Sequence, residues 1–183
     1  GINMDVLGCV VEVVSGMSFA DYLDKNIFKP LKMNSTGFSV KSTDKKSFTS
    51  LYTSGAFSTD GEIVGPLGAN YSDLEFSKSL RSIDAFDKSP YLSDTSKLYD
   101  GGSGLVASID DYSVFSEMLL NNGELNGVRI LSEASVKLMS RNHLNLDDPD
   151  AASFGVSGLG FGLTVGVLED AGQAGMFGPD GQY

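Results

Sequence analysis

Residues 101–131 read GGSGLVASIDDYSVFSEMLLNNGELNGVRIL and decide most of the fold prediction. Three glycines open the stretch, and Ser108 with Asp111 three positions later is typical of a helix N-terminal capping pair. A helix is predicted over 109–121, because apolar residues recur there at helical spacing. The residues on that apolar face are Ile109, Tyr112, Phe115, Met118 and Leu119. The Asn-Gly pair at 122–123 then predicts a tight turn.

The N-terminal part predicts two helices packed in a corner. Residues 4–15 are apolar almost all round, so the first helix is expected to be buried on several sides. Gly16 is placed to end it. Ser18 is expected to cap a second helix together with Asp21, and Pro30 is expected to stop that helix.

Beyond residue 131, a short helix capped by Ser132 is predicted. Residues 159–169 alternate apolar side chains with glycine or threonine, which predicts a strand with tight neighbours. The glycine-rich stretch 171–181 predicts a turn, and 176–183 leads toward another strand. Residues 39–100 lack periodicity but carry many aromatic side chains, which favours a packed excursion over a flexible linker.

Composition restricts the possible partners. A chain of 183 residues with 41% hydrophobic content suits one soluble domain. Its net charge of -11 disfavours nucleic acid and anionic membrane surfaces as partners. No run approaches the roughly 20 apolar residues that cross a bilayer, and no secretion signal opens the chain. Cys9 is the only cysteine and, in an apolar helix, is expected to be a small buried hydrophobe.

Short catalytic motifs are rejected on physical grounds. The stretch 42–45 fits S-x-x-K, but Lys45 lies in a polar run, and a lysine becomes a base only when burial lowers its pKa. The glycines of 158–162 lie in a strand pattern rather than at a helix start, which argues against a phosphate loop. One cysteine and one histidine supply too few ligands for a metal site, and no cofactor is predicted.

His143 is the only histidine, so any Ser/His/Asp triad has to be built around it. Asp147, Asp148 and Asp150 follow closely in sequence, but proximity along the chain is no evidence of a triad. A surface or helix-end position is the favoured interpretation of His143.

Two long blocks resemble the beta-lactamase-related serine hydrolases: DVLGCVVEVVSGMSFADYLDKNIFKPLKMNSTGF at 5–38 and GGSGLVASIDDYSVFSEMLLNNGELNGVRILSEASVKLMSRNHL at 101–144. This group includes class C beta-lactamases, D-alanyl-D-alanine carboxypeptidases and family VIII carboxylesterases. A third block, GLGFGLTVGVLED at 158–170, extends the resemblance. The chain 1–183 is therefore expected to be part of one such domain, with helical segments at 1–38 and 101–144, a variable excursion at 39–100 and sheet strands at 158–183.

The resemblance implies an α+β fold of the beta-lactamase/transpeptidase type, here mainly the helical subdomain plus the first strand or strands of an antiparallel sheet, incomplete at both ends. It also implies a serine and a lysine in an S-x-x-K helix, a tyrosine in a Y-x-N-like loop, and a K-T-G, H-T-G or W-G-G strand. None of these motifs stands at a matching position, so no catalytic residue is assigned. By motif order they are expected before Gly1 and after Tyr183.

Two positions are singled out by the resemblance. Asn3 is a candidate substrate-pocket residue near the place of the loop asparagine, although Ile2 holds that place if the tyrosine directly precedes Gly1. Lys32 stands where the family commonly has glycine, which predicts an unusual backbone conformation there. The short turn at 171–176 favours the esterase-like branch over true lactamases.

The leading hypothesis is an internal segment of a serine hydrolase, esterase-like or beta-lactamase-like, that cleaves a small-molecule ester or amide through an acyl-serine intermediate. The isolated chain is then expected to be inactive and to expose hydrophobic surface on the helix at 6–14 and the strand at 159–167. The alternatives are a complete non-catalytic binding or scaffold domain and a triad hydrolase built on His143. The sequence leaves open the substrate, the oligomeric state and the compartment, cytoplasmic or exported, and whether the chain itself is an enzyme.

Overall fold

The computed structural model describes residues 2–50, 52–53, 81–82, 90–92, 99–145 and 157–183. Its helices and strands are, in chain order, α1 (Ile2–Ser15), α2 (Phe19–Leu23), α3 (Lys29–Leu31), β1 (Tyr52–Thr53), β2 (Arg81–Ser82), α4 (Ile109–Leu120), β3 (Glu124–Leu125), β4 (Val128–Arg129), α5 (Glu133–Met139), β5 (Leu159–Phe161), β6 (Gly166–Leu168) and α6 (Ala171–Ala174). A π-helical turn covers Asp24–Phe28, and 3₁₀ turns cover Lys45–Ser47 and Pro90–Leu92.

The strands form three antiparallel pairs, β1 with β2, β3 with β4, and β5 with β6. Helices and antiparallel strands together agree with the predicted α+β class. The described residues group into two compact units, one from 1–24 and 34–108, the other from 25–33 and 109–183.

In the first unit, the corner between α1 and α2 forms as the sequence predicts. Gly16 ends α1 at a φ of 68°, the left-handed conformation that glycine adopts without strain. The Ser18 hydroxyl accepts a hydrogen bond from the Asp21 backbone N–H at 3.1 Å and donates to the Asp21 carboxylate at 2.7 Å. Both helix-end predictions are therefore confirmed.

The burial prediction for α1 is wrong. Only Gly8 of this helix is buried. Its exposed apolar residues are Ile2, Val6, Leu7, Val10, Val13 and Val14. Cys9 is also exposed, which corrects its assignment as a buried hydrophobe, because each helical step turns by about 100° and carries Cys9 away from the buried side. The exposed hydrophobic surface predicted at 6–14 is present on this helix.

Pro30 does not end the second helix where the sequence predicts. The π-helical turn is followed by α3, and Pro30 lies in the first turn of this helix. The missing N–H of proline is no loss there, because N–H groups of a first turn have no partner within the helix. The helix ends instead at Lys32, whose φ of 60° is left-handed. The Lys32 N–H donates to the Lys29 carbonyl at 3.1 Å, which closes this cap. The unusual backbone conformation predicted at Lys32 is thus present.

Lys32→Gly is expected to raise the free energy of unfolding by about 1 kcal/mol, since the left-handed conformation costs an L-residue roughly 1–2 kcal/mol, part of which the greater unfolded-state freedom of glycine offsets. Urea unfolding of the 183-residue chain measures this change. Lys32→Ala removes the same long side chain but keeps the Cβ, so it is expected to leave the free energy of unfolding no higher than that of the parent. A glycine variant no more stable than the alanine variant contradicts the strain argument.

In the second unit, α4 matches the predicted helix, and its predicted apolar face is buried only in part. Met118 is fully buried, whereas Ile109 and Tyr112 are 76% and 61% exposed. Asp111 is buried instead, on the side of Met118, since seven residues make almost two full turns. The buried face is therefore rotated from the one that hydrophobicity alone predicts. The core of this unit consists of Phe28, Leu31, Met33, Met118, Val136, Val167 and Leu168.

The short elements after α4 follow local signals. Asn126 and Gly127 link β3 to β4 with φ values of 52° and 79°, the positive pair that a two-residue hairpin of type I′ requires. Ser132 caps α5 by accepting from the Ser135 N–H at 3.0 Å, as predicted. The turn predicted over 171–181 contains α6, capped by Asp170.

Residues 159–169 form a hairpin rather than the single strand predicted. The Gly162 N–H donates across the loop to the Val165 carbonyl at 2.8 Å, and Leu163 donates to the Met139 carbonyl at 2.8 Å. These two hydrogen bonds turn the chain away from the direction of β5. Thr164 completes the change of direction with a φ of 78°.

Both edges of this hairpin have partners, contrary to the exposed strand that the sequence predicts at 159–167. The Phe161 carbonyl of β5 accepts from the His143 N–H at 2.9 Å. On the β6 side, Leu168 donates to the Gln182 carbonyl at 2.8 Å and accepts from the Gly181 N–H at 2.6 Å. Val167 is accordingly only 1% exposed.

The predicted excursion at 39–100 lies mostly outside the described residues, including Phe57, Tyr71, Phe76 and Phe86. Where it is described, it contains a packed pair: the rings of Phe48 and Tyr91 meet edge-on with centroids 6.4 Å apart. The Val40 N–H donates to the Tyr91 carbonyl at 2.7 Å.

Candidate functional site

The glycine loop, residues 101–104, lies against the first turns of α1. Gly101 approaches the helix so closely that a Cβ added to it would lie 2.7 Å from the Met4 carbonyl carbon and closer still to its oxygen. Gly8 forms the other side of the contact. A Cβ added to Gly8 would lie 3.5 Å from the Gly101 Cα. This close backbone contact joins residues nearly a hundred positions apart.

Hydrogen bonds hold the loop in place. The Asp5 carboxylate accepts from the Gly102 N–H at 3.0 Å, and the Ser103 hydroxyl donates to the Asp100 carboxylate at 3.2 Å. At the far end, Val106 and Gly37 exchange backbone hydrogen bonds of 2.8 and 3.0 Å.

Aromatic rings cover the same region. Gly104 has a φ of 90°, and a Cβ added to it would lie 3.3 Å from the Phe38 ring. The Phe38 ring contacts those of Tyr99 and Phe19 in tilted arrangements, with ring centroids 4.9 and 6.1 Å away. Centroid separations of this size are typical of favourable aromatic pairs, so the rings stiffen the base of the loop.

Asn3, the predicted substrate-pocket residue, lies in the first turn of α1 and is exposed. Its place in a pocket stays a prediction. Asp5, two residues later, is a functional candidate that the sequence reasoning missed. A carboxylate in the first turn of a largely apolar helix needs a polar partner or solvent, but the sequence does not tell which of the two it has.

The rejected S-x-x-K match lies on the surface. Ser42 and Lys45 are both exposed, and Lys45 begins a 3₁₀ turn rather than lying with Ser42 on an α-helix. Neither the burial nor the helical geometry that a lysine base requires is present. The exposed position expected for this stretch is therefore present.

His143 is an exposed residue at the end of α5. Its Nε2 lies 2.8 Å from the Leu138 carbonyl, one of the last carbonyls of that helix, which lack intrahelical partners. This agrees with the favoured interpretation of His143 as a helix-end residue. The three aspartates considered as triad partners, Asp147, Asp148 and Asp150, lie outside the described residues.

The glycines of 158–162 pack against neighbouring side chains and backbone, as expected for strand packing rather than a phosphate loop. The Asn142 Oδ1 atom accepts from the Phe161 N–H at 3.0 Å and from the Leu144 N–H at 2.9 Å. A Cβ at Gly160 would overlap the Asn142 side chain. Asn142 therefore fills the bare face that the glycine leaves.

A cleft of about 610 Å³ lies on the outer face of α4 within the second unit. Its wall contains Tyr112, Ser116, Leu119, Leu120, Val165 and residues 179–183. The Tyr183 hydroxyl donates to the Leu119 carbonyl at 3.3 Å, which fixes the chain end beside the helix. Sequence reasoning missed this cleft, because its wall combines α4 with Val165 and with residues 179–183, which are distant in sequence.

Two carboxyl groups with a lowered pKa lie at the starts of helices. The Gln173 backbone N–H at the start of α6 lowers the pKa of Asp170. A hydrogen bond from Lys137, one turn along α5, lowers the pKa of Glu133. Such partners stabilise the ionised carboxylate, the form that interacts well with a helix N-terminus.

Across the described ranges, no group of three or more His, Cys, Asp or Glu side chains could hold a metal ion. In the same ranges, no single helix is long and apolar enough to cross a membrane; only Ile2–Ser15 with Phe19–Leu31, bent by 76°, reaches the required length and composition as a pair.

Two Mycobacterium tuberculosis sequences are similar to this chain, Protein Rv1367c and protein MT1414, each 27% identical over 183 residues. Each alignment covers 97% of this chain and 40% of the relative. The chain therefore spans about 40% of the length of these relatives.

Solved structures share the fold. EstCE1, described as a hydrolase with promiscuous acyltransferase activity, is 27% identical with a TM-score of 0.66, covering 97% of this chain and 42% of that one. A mutant of the Aspergillus terreus simvastatin synthase LovD is 20% identical with a TM-score of 0.60, over 91% of this chain and 38% of that one. The octameric penicillin-binding protein homologue of Pyrococcus abyssi is 20% identical with a TM-score of 0.52, over 88% and 28%.

These likenesses agree with the two sequence blocks and with the helices and antiparallel strands described above. The family model described as Beta-lactamase matches residues 1–183, and the chain belongs to the Beta-lactamase family.

Proposed function

We propose that this chain is a segment of a serine hydrolase, esterase-like or beta-lactamase-like, that cleaves a small-molecule ester or amide through an acyl-serine intermediate. The observation that carries the proposal is the 27% identity to EstCE1 over 97% of the chain, because that protein is described as a hydrolase with acyltransferase activity. The short turn at 171–176 supports the esterase-like branch.

The described residues supply a framework for that chemistry rather than its reactive groups. Hydrolysis through an acyl-enzyme needs a nucleophile activated by a base and hydrogen-bond donors for the oxyanion. The one S-x-x-K match, at 42–45, is exposed. What the chain offers is a glycine loop held firmly on α1 beside the turn that carries Asn3. Such a rigid element is suited to hold a substrate in place.

The 183-residue chain is expected to remain unlabelled by a fluorophosphonate, because the nucleophile of the family motif is missing from it. The protein expressed from its complete reading frame is expected to be labelled at one serine outside residues 1–183 and to hydrolyse p-nitrophenyl acetate. Intact-mass spectrometry and peptide mapping measure both results.

Ser42→Ala in the complete protein is the matched control, since it removes the exposed serine of the rejected motif. Labelling and hydrolysis are expected to stay unchanged in this variant. Labelling of Ser42, or of any other serine within 1–183, contradicts the assignment of the nucleophile to another part of the protein.

A second candidate is a non-catalytic binding or scaffold domain derived from the same fold. The observation that favours it is the absence, within the described residues, of a buried serine and lysine pair. A complete protein that folds, fails to react with the fluorophosphonate and hydrolyses neither ester nor amide is the result this candidate predicts. A triad built on His143 finds less support, because Nε2 of that ring already lies against the Leu138 carbonyl.

A further inference from the structure

Asp5 lies where two distant parts of the chain meet. Its carboxylate accepts a hydrogen bond from the Gly102 N–H at 3.0 Å, across 97 positions of sequence. The neighbouring residues also meet in order, since the Met4 carbonyl lies against Gly101. Two successive residues of α1 therefore hold two successive residues of the glycine loop.

The loop is also tied down beyond Asp5. Val106 and Gly37 exchange two backbone hydrogen bonds, and the Phe38 ring lies beside Gly104. Between these anchors the side chains of Ser103 and Leu105 are exposed. Because the far anchor does not involve α1, the near end of the loop is held on the helix by the Asp5 bond together with the close packing of Gly101.

We infer that Asp5 is a positioning residue, which holds the exposed loop beside the first turn of α1 so that Asn3 and the loop form one wall of the substrate site. The inference rests on the proposed function. Asp5 does not itself touch the substrate; it acts through the Gly102 backbone. A charged acceptor suits this task, since hydrogen bonds to a carboxylate are stronger than those between neutral groups.

The rival explanation is that Asp5 only stabilises the helix, as an acidic residue in a first turn does through the helix dipole. The two explanations differ in what a substitution changes. A purely structural role affects unfolding, whereas a positioning role affects the binding and turnover of substrate in protein that remains folded.

Glu12 provides a matched control on the same helix. Its carboxylate accepts from the Phe19 N–H at 2.8 Å, so it makes the same kind of bond, but at the opposite end of α1, away from Asn3. Glu12→Ala thus removes an equivalent bond without disturbing the glycine loop.

The test measures kcat and KM for p-nitrophenyl acetate with the protein expressed from its complete reading frame. Asp5→Ala is expected to lower kcat/KM about tenfold, mainly through KM, because small misplacements of a substrate contact cost factors of this size or more. Asp5→Asn keeps an acceptor oxygen for Gly102 and is expected to recover kcat/KM to within about threefold of the parent. Glu12→Ala is expected to leave kcat/KM unchanged.

Each other outcome overturns the inference. Equal kcat/KM for Asp5→Ala and the parent shows that Asp5 positions nothing, and an equal loss in Glu12→Ala shows general loosening of α1. Failure of Asp5→Asn to recover activity assigns the effect to charge instead of the Gly102 bond. If the parent protein itself is inactive, the proposed function fails first, and the inference falls with it.

Discussion

Gly101→Ala is expected to lower the free energy of unfolding of the chain by about 3 kcal/mol, near the upper end of the usual cost of overpacking. A Cβ at this position would lie 2.7 Å from the Met4 carbonyl carbon and 3.3 Å from the Gly8 nitrogen. Both obstacles are backbone atoms of α1, so no side-chain rotation can relieve the overlap. The loop has to move away from the helix, and the Asp5–Gly102 hydrogen bond is lost with it.

Urea unfolding monitored by circular dichroism measures this effect, and a loss of this size shifts the midpoint by about 1–1.5 M. Gly8→Ala is the matched control, because it adds the same methyl group on the other side of the contact. Its Cβ would meet its neighbours at 3.5 Å, an ordinary packing distance, and alanine favours the helix by up to about 1 kcal/mol. An equal loss in both variants contradicts the steric explanation.

Much of the fold could be predicted because its signals are local. Ser18 and Ser132 each accept a hydrogen bond from the N–H three residues on, and Gly16 adopts the left-handed conformation expected at a helix end. These features depend on a few neighbouring residues, so the local sequence is sufficient to predict them. The Asn126-Gly127 hairpin belongs to the same class, and the same turn rule could have found it.

The predictions that failed depend on contacts between distant residues. Hydrophobic spacing placed Tyr112 and Met118 on one apolar face of α4, but the neighbours of this helix bury Asp111 with Met118 and leave Tyr112 exposed. The alternation of apolar and small residues over 159–169 fits either one strand or two. The hydrogen bond from the Leu163 N–H to the Met139 carbonyl turns the chain and so divides it into two strands. Neither outcome is encoded within the segment itself.

In the candidate site, too, features set by local sequence could be predicted, whereas contacts between distant residues could not. The resemblance singled out Asn3, and the residue pattern singled out the glycine-rich start of 101–131, as separate features. That Asp5 joins them could not be predicted, because a hydrogen bond across 97 positions leaves no mark on either block. Only a contact in three dimensions assigns that carboxylate a partner.

Gly162→Ala is expected to destabilise the second unit by a similar amount, about 3 kcal/mol. Its Cβ would overlap the Met139 carbonyl, at 3.1 Å from the carbonyl carbon, and would lie 3.2 Å from the Arg141 carbonyl oxygen. The Met139 carbonyl also accepts the Leu163 N–H that turns the chain between β5 and β6. Relief of the overlap therefore breaks the bond that holds the hairpin against the end of α5.

Gly166→Ala tests whether the effect is steric, because Gly166 lies in the same hairpin and an added Cβ there has no neighbour within 4 Å. Alanine is expected to be neutral or to stabilise this strand by up to about 1 kcal/mol, since glycine has the larger conformational entropy to lose. Urea unfolding compares the two variants, and amide hydrogen exchange at Leu163 reports the hairpin bond directly. Slow exchange at Leu163 in a Gly162→Ala chain of parental stability contradicts the proposed role of this glycine, because it means that the Met139 carbonyl accommodates the methyl group without moving.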